Sequence, residues 1–194
     1  MTIPVDRTSL DVPGAAGNVW GTIAEEAGSE SPLWAAALLP GDQRQLIPVF
    51  SPLGEERFAL ALETIYEGYL LHYGRPRLFA PTDGGTAVLL GDYLYAHGLV
   101  RLSALGDVAA VADLAELISL CAQLRAEGGD EAAGERAAWA ATAALLGTGG
   151  GALEHARAGL RTGRDPGPLY ALALAAVGKE RVAQALAAHA ARVE

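Results

Sequence analysis

Ala87-Val88-Leu89-Leu90-Gly91-Asp92-Tyr93-Leu94 is the stretch that decides the fold class. Its apolar residues do not alternate as those of a half-buried strand would. With Leu99, Val100 and Leu102 they wrap most of a helix and leave Tyr93, His97 and Arg101 as a stripe at i, i+4, i+8. The next run carries Val108, Val111, Leu114, Leu117, Ile118, Leu120, Cys121 and Leu124 and is also apolar on more than one face. Such helices sit at the centre of a bundle or pack against a neighbouring subunit, because an apolar face of this size is insoluble when left open.

Outward from these two helices, helix formers dominate between glycine and proline punctuation, and no run of alternating β-branched residues interrupts them, so the chain reads as all-α. The predicted helices lie near 32–39, 53–73, 84–104, 107–127, 130–146, 151–162, 166–177 and 179–192. Ser31-Pro32, Ser51-Pro52 and Asp165-Pro166 each set a capping side chain before a proline, a pairing that opens helices. Gly128, Gly147, Gly163 and Gly178 follow helical runs and suit left-handed C-terminal caps. Residues 1–30 are expected to be partly irregular, since Gly14, Gly17 and Gly21 interrupt any helix before Thr22. A length of 194 residues suits one all-α domain spanning 1–194.

Composition narrows the function. Hydrophobic residues make up 51% and charged residues 19%, enough apolar surface to offset chain entropy. A net charge of −9 offers no footprint for phosphate backbones or anionic lipid, so nucleic acid is not expected as a partner. One cysteine, Cys121, allows neither an internal disulfide nor a cysteine-rich zinc cage, and a reducing cytoplasm is the expected setting. Met1 to Arg7 lack the basic-then-apolar order of a secretory signal, and the uncharged run Ala137 to Leu153 is too short and too weakly apolar to span a bilayer.

Motifs for familiar chemistry fail on context. Gly147-Thr148-Gly149-Gly150-Gly151-Ala152 satisfies G-x-G-x-x-A, but an alanine-rich helix precedes it where a dinucleotide site needs a strand. His72, His97, His155 and His189 fall in different helices with no zinc-like pairing. Glu26 and Glu30 share a helical face and read as solvated. Cys121 has no basic neighbour to lower its pKa. No cofactor, metal ligand or catalytic residue is assigned.

The stretch Ala87 to Leu94, followed by a helix, Gly106-Asp107 and a second helix through Cys121, resembles the polyprenyl diphosphate synthase family, where A-V-L-x-G-D-x-L opens a central helix. Glu63-Thr64-Ile65-Tyr66 and Leu70-Leu71-His72 resemble that family's E-L-I-H and L-I-H, and Gly74-Arg75-Pro76 its G-K-P. The remnants are thus Glu63, His72, Gly74, Arg75, Pro76, Gly91 and Asp92, within a similarity covering about residues 59 to 125. Between His72 and Gly74, where the family has D-D-x-x-D and an arginine pair, this chain has only Tyr73.

The resemblance implies a truncated helical bundle of isoprenoid synthase type without the aspartates that hold Mg²⁺ against a diphosphate. It further implies no Mg²⁺-dependent chain elongation, because the leaving diphosphate would have no charge partner. The expected function is that of a non-catalytic partner or regulatory subunit of a full-length prenyl diphosphate synthase. The alternative is a stand-alone homodimer that binds an isoprenoid or other lipid. In either case a homodimer or heterodimer is expected, with Leu90, Leu94, Leu99, Val111, Leu114 and Ile118 at its interface.

Overall fold

The computed structural model describes residues 19–128, 131–148 and 150–193. Gly14 and Gly17, and residues 129, 130 and 149, at which two of the expectations above fall, lie outside that set. Among the described residues the α-helices are α1 (Val19–Glu30), α2 (Pro32–Ala37), α3 (Ala59–Tyr73), α4 (Gly84–Ala104), α5 (Val108–Glu127), α6 (Glu131–Ala144), α7 (Gly151–Gly163), α8 (Gly167–Val177) and α9 (Lys179–Val193). Single 3-10 turns occur at Gly41–Gln43, Ser51–Leu53 and Glu56–Phe58. The described residues form no strand; one isolated antiparallel bridge joins Leu38 and Phe79, with Ala80 N donating to Ala37 O at 2.7 Å. The chain is an all-α bundle.

Capping fixes where these helices start. Ser31 accepts from Leu33 N at 3.1 Å ahead of Pro32, Asp83 accepts from Thr86 N at 2.9 Å, and Asp107 accepts from Ala110 N at 2.9 Å; each side chain satisfies a donor the helix leaves open. At the C-termini Gly128, Gly147 and Gly178 take positive φ as expected, but at the end of α7 the left-handed residue is Arg164 (φ 55), one position past Gly163.

Two expectations are corrected. Gly21 does not interrupt α1, because Ile23, Ala24 and Ala27 supply a buried stripe that outweighs one glycine's propensity cost of about 1 kcal/mol. The helix expected from 53 to 73 begins only at Ala59: Gly54 is extended, and a Cβ there would stand 2.8 Å from Ala143 O, so two 3-10 turns thread this crowded spot before α3 starts.

Helix α3 is the axis of the bundle, and every residue from Ala61 to Leu71 is buried. Leu62, Ile65, Tyr66, Tyr69 and Leu70 join α5, α6, α8 and α9 in the larger core. Leu71 joins Ile23, Ala27, Leu90, Leu94, Leu78 and Phe79 in a second one. Helix α4 lies along α3 on a seam of glycines. A Cβ at Gly98 would stand 2.4 Å from Ile65 Cγ1, and one at Gly68 2.9 Å from Gly91 O. Gly98→Ala is therefore expected to destabilise by about 1–3 kcal/mol despite alanine's better helix propensity. A urea midpoint equal to or above the parent's would refute that close approach.

Candidate functional site

Of the residues that resemble a synthase motif, Glu63 has interior partners. Glu63 and Glu67, one turn apart on α3, close on the fully buried Arg77. Arg77 Nη1 donates to Glu63 Oε2 at 2.6 Å, and Nε donates to Glu67 Oε2 at 2.9 Å. Glu63 Oε1 accepts from Val49 N and Ser51 N, both at 3.1 Å. Glu67 Oε1 accepts from the backbone of Arg77 at 2.7 Å and of Leu78 at 2.8 Å. Burial alone would lower the pKa of Arg77, but Glu63 and then Glu67 outweigh it and raise it. The guanidinium also sits 4.6 Å from the Trp20 ring and 4.9 Å from that of Tyr66. The triad thus pins the 45–51 and 77–78 segments to α3.

His72 and Asp92 come together: Nε2 lies 3.2 Å from Oδ1 without hydrogen-bond alignment, a contact that becomes an ion pair when the ring is protonated. The His72 ring stacks on Tyr95 at 5.1 Å, and a Cβ at Gly91 would meet Nε2 at 2.6 Å, so Gly91 leaves the ring its room. Gly74-Arg75-Pro76 follow α3 and clamp the end of α9. Arg75 N donates to Arg192 O at 2.9 Å, and its guanidinium donates to Ala191 O at 2.5 Å. A cation at a helix C-terminus complements the carbonyl ends there.

A polar and aromatic centre that sequence reasoning missed lies between α3, α5, α6 and α9. Tyr66 Oη and His189 Nδ1 are 2.9 Å apart. Tyr69 donates to Glu135 at 2.8 Å, and Arg125 Nε donates to the same carboxylate at 2.7 Å. Phe50 stacks on Trp139 with centroids 5.2 Å apart. Burial, then Arg136 and Arg125, lowers the His189 pKa to about 4. Burial and the Glu135 carboxylate push the Cys121 thiol well above its ordinary range, which fits a packed thiol rather than a nucleophile. The only sequence signal for this centre was polar residues interrupting apolar helix faces.

The expected interface residues divide. Leu90, Leu94 and Leu114 are buried by the chain's own helices, which corrects their assignment to a subunit contact. Leu99, Val111 and Ile118 are partly buried against the larger core. The apolar residues left open are others: Leu89 is 58% exposed, Val100 61% and Val108 80%, with Val88 and Leu105 about half exposed. Leu89, Ala96 and Val100 share one line of α4, at i, i+7 and i+11. Along α5 the exposed positions Val108, Ala112, Ser119, Ala122 and Ala126 carry no charge, and Glu127 at its end is the exposed charged residue. The period of the sequence shows both helices to be apolar on more than one face, but not which side their neighbours cover.

A cleft of about 390 Å³ opens between the start of α1, the 46–56 segment and the start of α3. Among the described residues no three His, Cys, Asp or Glu side chains converge as metal ligands, and no helix is long and apolar enough to cross a membrane. Compared with models of known families, with curated proteins and with solved structures, the chain matches none.

Proposed function

We propose that this chain is a non-catalytic partner subunit that docks on a prenyl diphosphate synthase through the outward faces of α4 and α5. The observation that carries this reading is the open apolar surface of Val88, Leu89, Val100, Leu105 and Val108, on the helices whose sequence resembles that family. Apolar side chains this large and this close in sequence point to a protein partner when the chain's own helices leave them uncovered. The buried engagement of Glu63 and the contact of His72 with Asp92 add support, since they account for these residues without diphosphate chemistry.

The test is co-expression with a full-length synthase from the same cell, followed by affinity purification and analysis of product chain length. The expected result is a stable heteromer with altered chain length or rate. Leu89→Asp combined with Val100→Asp should abolish it while leaving the melting temperature close to the parent's, because exposed positions tolerate substitution within about 0.5 kcal/mol. Recovery of the chain alone, with synthase products unchanged by an excess of it, would reject the proposal.

A further inference from the structure

Beyond the docking face, we infer that the cleft beside α1 binds a small apolar molecule bearing a protonated amine. Its walls are Val19 and Trp20 of α1, Leu46, Pro48 and Pro52 of the connecting segment, and Ala59 of α3, with Gly54 also on its lining. Its volume of about 390 Å³ falls in the range of small-ligand sites, which are mostly apolar with a few convergent polar groups. Leu46 remains 51% exposed at its edge, an apolar side chain that the fold itself does not cover.

The polar groups that line the cleft are Ser51, Glu56 and Glu63, and among the described residues no basic side chain lines it. Glu63 is 1% exposed and belongs to a buried set with Glu67 and Arg77, on which the charge of Arg192 also acts. Arg77 lies behind Glu63, held by both carboxylates and by Ile47 O. The nearby cations are turned elsewhere. Arg57 pairs with Glu55 and Asp107, Arg192 bonds Gln45, and Arg181 donates to Pro52 O from the neighbouring groove that Ile47, Val49 and Ala188 line.

An anion entering the cleft meets two carboxylates and, among the described residues, no cation on the lining, whereas an ammonium meets Glu56 at the rim, Glu63 at the floor and the Trp20 ring, which Arg77 already approaches at 4.6 Å. A low-dielectric wall strengthens each of these attractions. The apolar part of the ligand would lie against Pro48, Pro52, Leu46 and Ala59.

The test uses phenethylamine as the probe, with phenethyl alcohol and phenylacetate as its neutral and anionic counterparts, followed by NMR shifts of the Trp20 indole and the Ser51 and Ala59 amides. The expected result is saturable binding of the amine at least about tenfold tighter than of either counterpart. Glu56→Lys, at an exposed rim position, should weaken it severalfold, and Ala59→Leu should block it by filling the cleft. Both variants are to be scored only with an unchanged far-UV spectrum and a cooperative melt, and wild-type selectivity among the three probes tests the inference with no variant at all. Equal affinity for all three probes, binding unaffected by Ala59→Leu in the folded variant, or no saturation would overturn it.

Discussion

Arg77→Met is expected to be the most damaging single substitution in the interior, costing about 3–5 kcal/mol at pH 7. Removing the guanidinium strands Glu63 Oε2 and Glu67 Oε2, both within 1% of full burial, and leaves Ile47 O without its donor. The stacking on Trp20 and Tyr66 is lost as well. Against a typical domain stability of about 5–15 kcal/mol, this approaches loss of the fold. Urea unfolding at pH 7 measures it; a deficit below about 1 kcal/mol would mean that the triad is dispensable.

The second large effect is acid sensitivity set by His189. Its pKa falls from 6.5 to about 4 in the folded chain, because burial among Tyr66, Tyr69 and Phe50, and then the charges of Arg136 and Arg125, disfavour the protonated ring. Above pH 6.5 the ring is neutral in both states and nothing is lost. Below that, the unfolded chain takes up a proton that the folded chain refuses, so stability declines between pH 6.5 and 4 and levels off below. The full loss is on the order of 3 kcal/mol. The pKa of His97 is lowered too, by burial and Arg101, and it acts in the same direction. His189→Gln should flatten most of the decline. If the pH dependence of the urea midpoint is the same in parent and variant, the loss arises elsewhere.

Much of the fold was legible in the chain. Helix α4 runs from 84 to 104 as its apolar run predicts, and α5 to α9 start and stop within a few residues of their glycine and proline signals. The failures have particular causes. Gly21 was weighed as a breaker, although the stripe of Ile23, Ala24 and Ala27 around it was helical. Glu63 was read only for its resemblance to a motif. Yet Glu63 and Glu67, four residues apart on an apolar helix with no cation between them, already demanded a buried partner, and Arg77 is a short loop away. A helix apolar on more than one face does not reveal its covered side, which is why Leu94 and Leu114 read as interface residues; that information lies in α1 and α6 to α9, far along the chain. The cleft was invisible for the same reason, since it joins residues 19–20, 46–56 and 59–63.

The central place of α3 bears on how the protein is made. Its Tyr66 meets His189 across 123 residues of sequence. At translation rates of roughly 5–20 residues per second, that interval lasts about 6–25 s. During it the nascent chain carries a helix destined to be buried from Ala61 to Leu71 with one flank unsheathed, and closure awaits emergence of α9 from the ribosome. A chain with such a distant final contact folds late and is vulnerable to self-association meanwhile.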